Sequence, residues 1–133
     1  MVKACARGSG EMEYDASDDP TNLGGGSFHP NSSQINRACG KLQILSAVDS
    51  LRKFDIRDVD LIKIDTEGAE HDILTSFPER VISRVSVILG ELHSVKDQET
   101  LAFLSQWFDI RHMPPKGRMS LFTAINKSCS SPK

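Results

Sequence analysis

The stretch from Val59 to Phe77 limits the fold more than any other part of this sequence. Its first half, Val59 to Ile64, is a compact apolar run of strand length that stops at Asp65. Its second half sets Ala69, Ile73, Leu74 and Phe77 on one helical face. A buried strand that passes directly into a helix implies a parallel partner beyond that helix, reached by a right-handed crossover. Arg84 to Leu92, with VSVIL at its centre, reads as that second buried strand, and Pro78 closes the helix between them.

The flanking segments extend the pattern. Lys41 to Leu45 is a short extended piece, and Ser46 followed by Asp49 resembles a helix N-terminus whose Val48, Leu51 and Phe54 face inward. Downstream, Ser94 with Asp97 caps a helix that puts Leu101, Leu104, Trp107 and Phe108 on a shared face. Phe108 to His112, a Pro114-Pro115-Lys116-Gly117 turn and Ser120 to Ile125 then make an antiparallel hairpin. The expected class is α/β, a mostly parallel, doubly wound sheet with a reversed last strand.

The first third differs in texture. Gly8 to Ser33 carries most of the glycine, asparagine, aspartate and serine. Val2 to Ala6 and Glu11 to Tyr14 flank Arg7-Gly8-Ser9-Gly10 and suggest a short hairpin, and SDDPTNLGGGSFHPNSS has the composition of a long surface loop. The whole chain is read as one domain: hairpin and loop over 1–40, α/β core over 41–126, and a tail over 127–133.

Bulk properties exclude some classes of function. A chain of 133 residues, 38% of them hydrophobic, can bury a core, and a formal charge of −2 gathers neither nucleic acid nor an anionic membrane. No apolar run approaches the roughly 20 residues that span a bilayer, and the first residues lack the apolar core of a secretory signal, so a cytosolic address is expected. Cys5, Cys39 and Cys129 are odd in number, widely spaced and without a CxxC pair. They argue against a disulfide framework and a zinc knuckle and read as ordinary thiols.

In an open α/β sheet the ligand crevice lies beyond the carboxyl ends of the strands. The first buried strand offers Asp65, Thr66 and Glu67 there, and the second offers Glu91 and His93. Residues two apart on a strand point the same way, so Lys63 pairs with Asp65 and Glu91 with His93. If the strands are neighbours, about 5 Å apart, these groups converge at one edge of the sheet.

Each residue has a plain reading beside the functional one. Lys63, inside an apolar strand, must reach solvent or meet Asp65 or Glu67, and it could orient those acids. Glu67 and Glu70 sit in a first helical turn, where the helix dipole favours acids in any protein. Gly68 reads as allowing close backbone approach where the strand turns into the helix. His93 beside Glu91 is suited to act as general base or proton relay, although strand-end histidines are often only hydrogen-bonded. Asp65, Glu91 and His93 could also ligate a divalent metal, though no close spacing enforces it, and no metal is assigned. His29, His71 and His112 are assigned no role.

The string Lys63-Ile64-Asp65-Thr66-Glu67-Gly68-Ala69-Glu70, preceded by Asp60-Leu61-Ile62 and followed by Ile73-Leu74, resembles the most recognisable stretch of FkbM-type methyltransferases. Gly24 to Ser27, Val48-Asp49-Ser50-Leu51 and Glu91 fall where that family has a serine- and glycine-containing loop, a short leucine-aspartate helix and a strand ending in an acid. The resemblance runs roughly from Val2 to Asn126. It implies a class I, Rossmann-like fold, S-adenosylmethionine as methyl donor, and O-methylation of a small-molecule or sugar hydroxyl. On this reading Asp65, Glu67, Glu91 and His93 are the catalytic candidates, and Lys63, Gly68, Glu70 and Ser27 contact or orient substrate.

Chemically, in-line transfer from a sulfonium asks the protein to align donor and acceptor and to take up the acceptor's proton. In the family a glycine-rich turn after the first strand and an acid after the second hold the donor. Neither lies upstream of Val2, and Gly24-Gly25-Gly26 is followed by Ser27-Phe28-His29-Pro30 rather than a helix. The resemblance therefore covers about the second half of a methyltransferase. The competing expectation is a non-catalytic module that associates with a second copy or a partner through an exposed sheet edge. A metal-dependent hydrolase built on Asp65, Glu91 and His93 is a third.

Overall fold

The computed structural model describes residues 4–6, 8–15, 38–66, 68–113 and 120–130. They form two sheets. The first has β1 (Ala4–Ala6), β2 (Gly10–Asp15) and β3 (Ala38–Ser46) in the order β1-β3-β2. The second has β4 (Leu61–Ile64), β5 (Val87–Leu92), β6 (Phe108–His112) and β7 (Ser120–Asn126) in the order β4-β5-β7-β6. The helices are α1 (Ala47–Lys53), α2 (Glu70–Thr75), α3 (Glu79–Ile82), α4 (Asp97–Leu104) and α5 (Lys127–Ser130).

The expected hairpin between the first two strands does not form. β3 lies between them, parallel to β1 and antiparallel to β2, so Ala4 and Gly10 both pair with Ile44. A local turn signal is outweighed here because a central strand satisfies backbone groups along both of its edges. β3 then passes into α1 at Ser46, whose hydroxyl accepts from the Asp49 N–H at 3.1 Å while the Asp49 carboxyl group approaches the same hydroxyl at 3.0 Å. Ser9, from the β1–β2 connection, reaches the same carboxyl group and accepts from the Ser46 N–H at 2.9 Å. Phe54, expected to face inward, is the C-cap and is 56% exposed.

In the second sheet β4 and β5 are adjacent and parallel, Leu61 opposite Val87 and Ile64 opposite Gly90, with α2 in the connection between them. β6 and β7 form the expected antiparallel pair, and the turn proposed at 114–117 lies outside the described residues. Among the described residues this sheet is mixed rather than mostly parallel, because β7 also pairs antiparallel with β5. The short helix α3, not expected from the sequence, has Pro78 as its N-cap and buries Val81 and Ile82.

Period-two alternation sorts the second sheet into unlike faces. Ile64, Ile88, Leu92, Phe122 and Ala124 pack with Ile73 and Leu74 of α2, Ile82 of α3 and Leu104 of α4 in one core. On the other face Leu61, Leu89 and Leu121 are 57%, 39% and 37% exposed. The doubly wound expectation is therefore met on one side only among the described residues. β4, expected to be buried, is an edge strand whose Leu61 and Lys63 are exposed. Among the described residues no helix is long and apolar enough to cross a membrane.

Candidate active site

The parallel β4–β5 pair brings two strand ends together, and with them the predicted polar residues. Asp65 follows the last residue of β4, Glu91 lies on β5 and His93 follows its last residue. One ligand-type atom from each of Asp65, Glu91 and His93 lies within 4.8 Å of the others. His93 Nε2 is 3.4 Å from Glu91 Oε2. Asp65 is exposed, whereas the side chains of Glu91 and His93 are 28% and 15% exposed, so the cluster opens to solvent on the Asp65 side.

Glu70 adds burial to its plain reading. It stands in the first turn of α2, as expected, and it is wholly buried. Its Oε1 accepts from the Thr66 N–H at 3.0 Å, the Thr66 hydroxyl at 3.1 Å and the Gly68 N–H at 3.1 Å. One oxygen thus holds the strand-to-helix turn closed. The same atom lies 3.5 Å from His93 Nδ1. Glu70 Oε2 and His93 Nδ1 are buried without a hydrogen-bond partner among the described residues. His93 consequently stands between two carboxyl groups, Glu70 behind it and Glu91 beside it.

Gly68 also has a different cause from the expected one. Its φ is +108°, and a Cβ would meet nothing within 4 Å, so backbone conformation rather than close approach demands glycine. Close approach occurs instead at Gly90 on β5. A Cβ there would stand 2.5 Å from the Phe122 ring and 2.7 Å from Ile64. Lys63 reaches solvent, and among the described residues it makes no ion pair, so pairing with Asp65 is not seen. Glu67 and Ser27 lie outside the described residues.

Other polar residues act as joints. His71 Nδ1 lies 3.2 Å from the Thr100 hydroxyl and Lys96 Nζ lies 3.0 Å from Asp72, both linking α2 to the α4 region. Buried Asn126 donates to the Ser83 and Val85 carbonyls at 2.8 and 2.9 Å and accepts from Ser128. A cavity of about 300 Å³ opens at the other end of β4, bordered by Arg57, Asp58, Asp60, Arg80 and Arg84. The Asp65, Glu91 and His93 cluster lies at the opposite end of that strand. Cys129 is an exposed free thiol.

The sequence model of the methyltransferase FkbM domain matches residues 5–118. The chain belongs to the FkbM methyltransferase family. No curated protein and no solved structure matches it. The matched span takes in β3, the whole β4–α2–β5 unit and the Asp65, Glu91 and His93 cluster, so the family match and the strand-end geometry meet in one place.

Proposed function

We propose that this chain supplies the acceptor side of an S-adenosylmethionine-dependent O-methyltransferase with a Rossmann-like class I core. The acceptor is a hydroxyl on a small molecule or sugar. The observation that carries the reading is the convergence of Asp65, Glu91 and His93 from two adjacent parallel strand ends, inside the span matched by the family. In an α/β sheet that edge is where ligands bind. The cluster would hold the acceptor hydroxyl in line with the donor methyl group and ease removal of its proton. Its carboxyl groups also suit a neighbouring sulfonium, and Glu70 orients the turn that presents Asp65. Glu67 and Ser27 remain candidate contacts in the same reading.

Weak donor binding by residues 1–133 is part of this proposal, since no glycine-rich turn leading into a helix is recognised among them. Calorimetric titration of the chain with the donor should therefore show no saturable micromolar binding. In a complete enzyme carrying this half, Asp65→Asn should lower turnover far more than melting temperature. Equal losses of both would assign Asp65 a structural role instead.

One observation favours a second reading, a non-catalytic module that self-associates. The outer edge of β4 is unpaired among the described residues, and Leu61, Leu89 and Leu121 lie exposed on the adjoining face. A monomer mass at high concentration would dismiss it.

A further inference from the structure

The strand-end cluster is rich in acceptors and poor in donors. Asp65, Glu70 and Glu91 bring three carboxyl groups to one imidazole, and among the described residues Lys63 pairs with none of them. Buried polar groups are normally satisfied, yet among the described residues Glu70 Oε2 and His93 Nδ1 have no hydrogen-bond partner. We infer that Asp65, Glu91 and His93 form a binding site for one divalent metal ion, with Glu70 as the buried carboxyl group that holds the His93 ring.

Two independent observations support the site. The first is the gathering of one ligand-type atom from each residue within 4.8 Å. Ligands bound at about 2.1 Å from a common ion sit about 3–4 Å apart, so a small inward movement of the exposed Asp65 completes the set. The second is Glu70. It is fully buried, its Oε1 stands 3.5 Å from His93 Nδ1, and its Oε2 has no hydrogen-bond partner among the described residues. Metal-bound histidines commonly donate their second ring nitrogen to a carboxylate, which fixes the tautomer and the ring direction, and a slight closing of this gap would make that bond. That leaves Nε2, the nitrogen facing Glu91, on the ligand side.

Two carboxyl oxygens and one imidazole nitrogen suit an ion of the Mn²⁺ or Zn²⁺ class better than a soft ion. The exposed Asp65 side leaves positions open for water or a hydroxyl. The site stands on its own ligands, and only the use of the ion rests on the methyltransferase reading: an acceptor hydroxyl at an open position would be polarised there.

The test is a titration of the chain with Mn²⁺, read by loss of the free-ion electron paramagnetic resonance signal and by calorimetry. One ion per chain is expected. Asp65→Asn and Glu91→Gln should each weaken binding at least about tenfold, and Glu70→Gln by about 10- to 100-fold. Asp109→Asn, on β6, should leave it unchanged. Asp65 is exposed, so its variant keeps the test sound if the Glu91 and Glu70 variants misfold. Binding that is absent below millimolar Mn²⁺, or that survives Asp65→Asn intact, overturns the site. Mn²⁺ bound without methyl transfer in the complete enzyme supports the site and counts against the methyltransferase reading. Transfer indifferent to chelator, with no Mn²⁺ bound, overturns the site and leaves that reading in place.

Discussion

The two faces of the β4-β5-β7-β6 sheet are built from alternate residues of the same strands, yet they have opposite demands. The helix-covered face is packed so closely that Gly90 has no room for a Cβ and Ile88 has no exposed surface. On the other face, one residue away, Leu89 is 39% exposed, and Lys63 and Glu91 share its side. The close packing therefore lies on one face, and the residues of the strand-end cluster extend from the other.

The largest expected effect tests that contrast directly. Ile88→Ala should lower unfolding free energy by about 2–5 kcal/mol, while Leu89→Ala should change it by about 0.5 kcal/mol or less. Denaturant midpoints of the two variants, adjacent on one strand, measure the difference. Equal losses would mean that the open face is covered in solution, as self-association through it would require.

Next comes Gly90→Ala, which should cost about 1–3 kcal/mol because the Phe122 ring and Ile64 must both give way. A neutral outcome by thermal melting would show that the covered face is more loosely packed than the contacts imply. Gly68→Ala is expected to cost about 1–2 kcal/mol through backbone strain alone. The Gly68 N–H bond to Glu70 should persist as amide protection in hydrogen exchange. Loss of that protection would tie the conformation of Gly68 to the Glu70 clasp.

The smallest effect lies at Asp49. Its pKa is lowered by the Ser9 hydroxyl, then by Ser46 and by the charge of Arg52. A carboxyl group with a depressed folded value contributes stability above its unfolded pKa and loses it as pH falls through the folded value. The contribution should be complete above about pH 4 and decline below it. Ser9→Ala should bring the Asp49 titration, followed by nuclear magnetic resonance, back toward the ordinary carboxylate range. An unchanged titration would remove the Ser9 contact from the account.

Much of the candidate site was legible because it depends on short-range rules. Strand period two puts Glu91 and His93 on one side, and the apolar run before Asp65 marks a strand end. The burial of Glu70 was not legible: its place in a first helical turn was, but the approach of His93, twenty-three positions away, comes from the pairing of β4 with β5. Gly90 gave no signal, since the need for glycine comes from Phe122, thirty-two positions away.

What the sequence determined by itself is the set of local elements: the α1 cap at Ser46, the β4–α2–β5 unit, the β6–β7 pair and the family stretch from Asp60 to Leu74. Each is written in a window of a few residues, through periodicity, capping and turn chemistry. Tertiary structure alone decided that β3 would separate β1 from β2, that β7 would lie between β5 and β6, and which sheet face would carry the helices. Those outcomes compare pairings between distant segments, whose relative free energies depend on shared burial and backbone satisfaction that no local window contains.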